Sequence, residues 1–360
     1  MVVNLLSNTD VISRTISLSD NQLVTQMSKF VDIFTYPILF IFALWLFFYK
    51  FKGDKQKRNA ILLSSILLIV AVHATKTLLY QQRPCWQDTA SKIECPLDST
   101  FPSGHASVAA LLVLPLIQSA LFIPYLIFTL FVAFSRVYLG VHTVLDVSAG
   151  FVFGTAAYLI TSRFLTSNSF KKNNGELIRQ ATHIFSGVVS LGLLLLIYYS
   201  TTDWRALAAL TFAFLVILLL FIIYLMKYSI RIPFVSNHLK VISFRDSFIG
   251  EAAIWYLLGI ILLVTFLNNF QQIIASLLIL TLGDSVSTVF ASKLKSKTIF
   301  KNKTLVSFAA FILFSLPAFF FVGAAAIPLV IICALAESVY LKIDDNFLIP
   351  VVCVLYFLLL

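Results

Sequence analysis

Charge is scarce in this sequence and unevenly spread. Of its 360 residues 12% are charged and 60% are hydrophobic, a balance that soluble domains do not have. No Gly-x4-Gly-Lys-Ser/Thr loop occurs, which excludes the common P-loop solution to nucleotide binding. The first thirty residues lack a basic stretch ahead of an apolar core, so a cleavable signal peptide is not expected. No repeat relates the two halves, which points to fusion rather than duplication. Cysteine is limited to four residues. Cys85 and Cys95 flank a short polar loop and form either a disulfide, suited to an oxidising compartment, or two free thiols. Cys333 and Cys353 fall in apolar runs, where cysteine acts as a small apolar residue.

The sequence is instead rich in apolar runs long enough to span a bilayer. They number about twelve, from 34–51 to 346–360, and include an adjacent pair at 304–322 and 323–341. The expectation is an all-α polytopic membrane protein with its transmembrane helices in two bundles. Residues 1–33 read as an N-terminal amphipathic segment and 34–166 as a first domain. Residues 167–180, rich in Ser, Asn and Lys, read as a linker, and 181–360 as a second domain. Cations recur at alternate span ends: Lys50 to Arg58, Arg163 to Arg179, Lys227 to Arg245, Lys293 to Lys303, and Lys342. The positive-inside rule makes that face cytoplasmic. The net charge of +10 is then a topology signal, and no nucleic-acid partner is expected.

Against this background the stretch from Lys76 to Asp146 stands out. It reads Lys76-x6-Arg83-Pro84, then Pro102-Ser103-Gly104-His105, then Ser135-Arg136-x5-His142-x3-Asp146. Ionisable groups at membrane depth are expensive and mark functional sites by default. Lys76, Arg83 and Arg136 can neutralise a phosphate, and backbone N–H groups around Ser103 and Gly104 can hold its oxygens. One histidine can attack phosphorus while the other protonates the leaving oxygen. Asp146, one helical turn beyond His142, can fix the tautomer of its imidazole.

These three segments resemble the type 2 phosphatidic acid phosphatase family, without a mismatch to its pattern. The resemblance implies His142 as a nucleophile forming a phosphohistidine, Asp146 as its orienting group and His105 as general acid. It implies Lys76, Arg83, Ser103, Gly104 and Arg136 as phosphate binders, and no cofactor. The substrate would be a membrane lipid phosphate or diphosphate, with a polyprenyl chain. Charge asymmetry puts this site on the extracytoplasmic side.

The polar residues of the second half gather at the opposite, cytoplasmic ends of its spans. Glu176, Arg179 and His183 open its first span, and Arg245, Asp246 and Glu251 its third. Gly283-Asp284-Ser285 precedes a loop carrying Lys295 and Lys297, and Glu337 precedes Asp344-Asp345-Asn346. Carboxylates beside cations suit a magnesium–nucleotide site. This half resembles the dolichol kinase and phytol kinase family, through Glu176-Leu177-x-Arg179-x3-His183-x3-Gly187, Gly283-Asp284-Ser285, Lys303-Thr304 and Glu337 with Asp344-Asp345-Asn346-x3-Pro350. It departs from that pattern at Gln180 and at Val306-Ser307. The resemblance implies phosphorylation of a polyprenol by CTP, or ATP, with Mg²⁺ on Asp284, Asp344 and Asp345. Arg179, His183, Ser285, Lys295, Lys297, Glu337 and Asn346 complete the nucleotide and metal candidates.

The expected protein is thus a bifunctional enzyme of lipid-carrier recycling. Two other classes compete with it. One is a glycerolipid or lipid A phosphatase with a non-catalytic C-terminal half. The other is a non-enzymatic lipid transporter.

Overall fold

A computed structural model describes residues 11–87, 91–165, 176–228, 230, 232, 235–243, 246, 248–293, 298–300, 303–339 and 343–360. Most of the expected linker, together with Lys295 and Lys297, lies outside the described residues. The chain divides into two compact units, residues 1–167 with 205–210, and 168–204 with 211–360.

The first unit comprises α1 (Val11–Leu18), α2 (Gln22–Trp45, continued by a π turn over Leu46–Lys50), α3 (Lys55–Leu78) and the short α4 (Pro84–Gln87). After a loop follow α5 (Gly104–Leu111), α6 (Val113–Leu116), α7 (Phe122–Tyr138) and α8 (Val144–Leu165). The expected boundary at residue 33 is absent. Residues 22–33 are the leading turns of α2, which starts where the Asn21 side chain accepts from the Val24 N–H. Ser28, Val31, Thr35 and Leu39 recur at helical spacing and are buried, so one face stays packed along these turns. The outward faces of α2 and α3 are apolar and uncovered, with Phe40, Ile41, Ile66 and Ile69 among the most exposed side chains. A surface of this kind suits lipid, since the helix meets its own backbone hydrogen bonds.

At the centre of the unit α8 packs against α3 and α5. Its contact with α5 is made through glycine. A Cβ on Gly150 would stand 2.6 Å from the Ser103 carbonyl oxygen, and one on Gly154 only 2.1 Å from that of Ser107. Both obstacles are backbone, so only glycine permits this approach. The seam sets the Pro-Ser-Gly-His turn beside the start of α8, and Ser103 N–H donates to the Asp146 carbonyl at 3.0 Å.

The second unit comprises α9 (Glu176–Ser200), α10 (Trp204–Lys227), α11 (Val235–Ile242), α12 (Glu251–Phe266) and α13 (Phe270–Leu278), a π turn over Ile279–Gly283, and α14 (Asp284–Lys293). A two-stranded hairpin follows, β1 (Thr298–Phe300) with β2 (Lys303–Thr304). Then come α15 (Leu305–Ser315), α16 (Phe319–Val322), α17 (Ala326–Ser338) and α18 (Asp345–Leu359). Helix α9 starts inside the stretch expected as linker. Helices α15 and α17 pack on one another. The chain therefore reverses between them, near Gly323, whose φ of +58° is a conformation that glycine adopts freely. The sequence pattern of two runs meeting at 322–323 has this origin.

Among the described residues seven helical stretches are long and apolar enough to cross a membrane, with shorter apolar helices among them. The chain is a nearly all-helical, multi-pass membrane protein.

Candidate functional site

In the first unit His142 lies in the turn between α7 and α8, and Asp146 in the first turn of α8. Both side chains are buried. Four residues of separation brings them close, yet Nδ1 of His142 stands 3.7 Å from Oδ2 of Asp146, beyond a hydrogen bond. Thr100 bridges the gap. Its Oγ1 donates to Asp146 Oδ2 at 2.7 Å and lies 3.2 Å from His142 Nδ1. With its one proton committed to the carboxylate, the hydroxyl accepts from Nδ1–H. The direct contact expected between Asp146 and His142 is thus replaced by a relay. The Thr143 N–H also donates to Asp146 Oδ2, at 2.7 Å.

This arrangement leaves the lone pair of Nε2 free to face the cations. Arg83 Nη1 donates to it at 3.2 Å. Burial, then the charges of Arg83, Arg136, Lys76 and His105, hold the imidazole pKa well below its usual 6.5. The ring is therefore neutral at physiological pH, the state a nucleophile requires.

Lys76 lies in the last turn of α3 and Arg83 directly precedes α4, and both point at Asp98. Lys76 Nζ meets Asp98 Oδ2 at 2.5 Å and the Ser99 carbonyl at 2.6 Å. Arg83 Nη2 meets Asp98 Oδ1 at 2.6 Å, while its Nε and Nη1 donate to the carbonyls of Asp98 and Val141. Burial opposes ionisation of Asp98, but the hydrogen bond from Lys76 and the charge and hydrogen bond of Arg83 outweigh it. The carboxyl is held at about 2. Arg136, from α7, is buried and pairs through Nη1 with Asp32 of α2. His105, in the first turn of α5, donates from Nε2 to the Asp32 carbonyl at 3.2 Å and packs against the Tyr36 ring. Among the described residues Ser103 Oγ and Arg136 Nε are buried without a hydrogen-bond partner. They are donors of the kind a phosphate would use. Gly104 keeps the turn open, since a Cβ there would meet the Tyr36 hydroxyl at 2.9 Å.

A disulfide joins Cys85 to Cys95, with Cα atoms 5.8 Å apart, so of the two sequence readings the structure has the bonded one. The loop it closes leads into Asp98, Ser99 and Thr100. Lys92 ties this loop to α1 and α7, through the carbonyls of Ser17 and Tyr138 and over the Tyr138 ring.

The sequence reading missed Asp32, Tyr36, Asp98 and Thr100. Asp32 carries a usable signal, being the only carboxylate between Gln22 and Lys50. Asp98 and Thr100 carry none, because they lie in a polar loop where such residues are ordinary.

In the second unit Asp284, Glu337 and Asp345 each present an oxygen within 4.8 Å of the others. Asp284 follows the π turn directly, and π turns often mark functional positions. Glu337 comes from α17 and Asp345 from the start of α18. Asp344, expected as the third ligand, is not in this group. Its side chain accepts from the Asn346 N–H and caps α18, the ordinary use of Asp before a helix. Lys303 pairs with Glu337, which also accepts from Ser287 at 3.1 Å. His183 Nδ1 is 2.9 Å from Ser285 Oγ and 3.7 Å from Asp284 Oδ2, while its Nε2 and Asn346 Oδ1 are buried without hydrogen-bond partners among the described residues. Arg179 Nη1 stands 4.0 Å from Glu176. Burial, then the charge of Asp344, push the Asp246 carboxyl up to about 6, against the pull of the Ala252 N–H and Arg179. Three oxygen donors in one place suit a hard divalent cation such as Mg²⁺.

Residues 58–170 match the PAP2 superfamily. An uncharacterized protein of Methanocaldococcus jannaschii is 26% identical over 178 residues, 49% of this chain and 88% of that protein. The undecaprenyl-diphosphatase of Sulfolobus acidocaldarius is 28% identical over 127 residues, 34% of this chain and 62% of that enzyme's length. The crystal structure of Aquifex aeolicus LpxE aligns with a TM-score of 0.38 and 24% identity, over 45% of this chain and 98% of that one.

Proposed function

We propose that the first unit is a lipid phosphatase that removes phosphate from a polyisoprenyl phosphate or diphosphate through a phosphohistidine. The observation that carries this reading is His142, neutral and held by Thr100 so that Nε2 faces Arg83. Nε2 attacks phosphorus, the bond from phosphorus to the leaving oxygen breaks, and that oxygen takes a proton from His105. Water then attacks the phosphohistidine, His105 recovers its proton, and the P–N bond breaks to release orthophosphate and free His142. Lys76, Arg83, Ser103, the Gly104 N–H and Arg136 neutralise the phosphoryl oxygens. The match to the PAP2 superfamily supports the reaction, and the Sulfolobus relative's name supports a polyprenyl diphosphate as substrate.

About twelve crossings, with this site on the extracytoplasmic side, fit the alternating cations and an oxidised Cys85–Cys95 pair. A cysteine placed at Tyr80 is expected to react with an impermeant maleimide on intact cells, and one at Gly53 only after permeabilisation. Labelling of both from one side would reverse this topology.

The group of Asp284, Glu337 and Asp345 favours a second activity, phosphorylation of a polyprenol by CTP or ATP. Bound Mg²⁺ would supply charge neutralisation for the nucleotide's phosphates. Lys303 supplies a counter-charge to Glu337, His183 meets Ser285 beside Asp284, and Arg179 remains a candidate for the phosphates.

One purified preparation tests both activities. Polyprenyl diphosphate with chelator should release phosphate, and polyprenol with labelled CTP or ATP and Mg²⁺ should yield polyprenyl phosphate on thin-layer separation. Asp284→Asn should remove only the second reaction. Phosphate release without any kinase product leaves the second unit a scaffold, and equal loss of both activities in Asp284→Asn makes that aspartate structural.

A further inference from the structure

We propose that Asp98 is the site's resident anion: its carboxylate holds the places of two phosphate oxygens on Lys76 and Arg83, and an arriving phosphate displaces it. The proposal rests on the reading above that these two cations bind phosphate.

The geometry is that of a ligand rather than a strut. Asp98 presents one oxygen to each cation, Oδ2 to Lys76 at 2.5 Å and Oδ1 to Arg83 at 2.6 Å. A phosphoryl group bridging the same two side chains would do likewise. The cations are nearly enclosed, with side-chain exposures of 16% for Lys76 and 4% for Arg83, whereas Asp98 is 56% exposed. The carboxylate thus sits on the solvent side of the pair and can swing away without crossing the core. The cations would not collapse when it leaves. Lys76 keeps the Ser99 carbonyl, and Arg83 keeps the carbonyls of Asp98 and Val141. A backbone scaffold therefore fixes the cations, and the side chain of Asp98 fills the remaining valence.

Two consequences follow. Without an anion, two buried cations beside His142 would repel each other, and Asp98 relieves that repulsion between turnovers. With phosphate bound, Asp98 is an intramolecular competitor that lowers the apparent affinity by the fraction of time it occupies the cations. Orthophosphate, the last product to leave, is released faster for it. Asp98 therefore sets how tightly this site retains phosphate.

The test measures inhibition by orthophosphate of farnesyl diphosphate hydrolysis in the full-length protein and in Asp98→Asn and Asp98→Ser. A competitor occupying the cations nine-tenths of the time predicts an inhibition constant lower by about 10-fold in both variants, with KM lowered and kcat reduced as release slows. An inhibition constant that is unchanged or raised overturns the proposal, because a positioning residue would weaken phosphate binding when removed. Loss of the folded state in both variants, read by thermal unfolding, also overturns it and makes Asp98 a structural tie. If the unaltered protein neither hydrolyses the substrate nor binds orthophosphate by calorimetry, the phosphatase reading itself falls. Hydrolysis without the affinity change removes only the role of Asp98.

Discussion

Replacing His142 with alanine is expected to lower phosphate release on the order of 10⁴-fold or more, as removal of a nucleophile does elsewhere. No other nucleophilic side chain is described at the meeting point of Arg83 and Thr100. In the unaltered protein, acid-free quenching early in turnover should trap phosphate on His142, recognisable by its acid lability. The pH dependence has a definite sign. The imidazole pKa is depressed, so the nucleophilic form persists as pH falls through 6.5 and is lost only well below it. In His105→Asn, with a substrate whose leaving group needs no proton, the rate of phosphoenzyme formation should therefore hold level across pH 6.5 and decline further into acid. A decline centred at 6.5 or above would mean that neither burial nor the cations act on His142. Full activity in His142→Ala would remove the mechanism.

The second large effect concerns the relay behind that histidine. Asp146→Asn should cost about 10²- to 10⁴-fold in kcat, the range seen when a buried carboxylate no longer fixes a catalytic imidazole's tautomer. Thr100→Val should cost less, about 5- to 150-fold, since it removes one buried hydrogen bond of ~1–3 kcal/mol. It leaves Asp146 the Thr143 N–H. The informative measurement is the double variant. If Thr100 carries the connection, the two losses will fall far short of adding, because both cut one path. Additive losses would show that Asp146 reaches His142 independently, by a shift closing the 3.7 Å gap.

The ionisable residues of the three motifs stood out in the sequence because an apolar chain makes each such group conspicuous. His142, His105 and Arg136 could be singled out on those terms alone. Their partners were less legible, for two physical reasons. Asp32 belongs to a stretch whose mixed composition reads as interfacial, and only packing against α7 reveals it as part of a long helix reaching Arg136. Thr100 and Asp98 act through loop geometry, which the local residue pattern does not encode. Position 344 illustrates a different ambiguity. Two adjacent aspartates before a helix can serve as cap or ligand, and periodicity cannot assign the roles. The structure gives the cap to Asp344 and places Asp345 with Asp284 and Glu337. In the 304–341 region the sequence offered a break at Gly323, the one residue there with a positive φ among the described residues.

The glycine seam between α5 and α8 bears on how such a protein can diversify. A side chain at Gly150 or Gly154 would collide with backbone rather than with a neighbour able to move aside. No compensating change elsewhere can relieve that collision, so the seam is closed to gradual substitution. The outward faces of α2 and α3 are under no such constraint, since Phe40, Ile41, Ile66 and Ile69 face away from the protein and trade freely for other apolar residues. Adaptation to a longer, shorter or more saturated lipid therefore has room on one side of the unit, while the spacing of α5 and α8, which sets His105 beside the turn that carries His142, does not change.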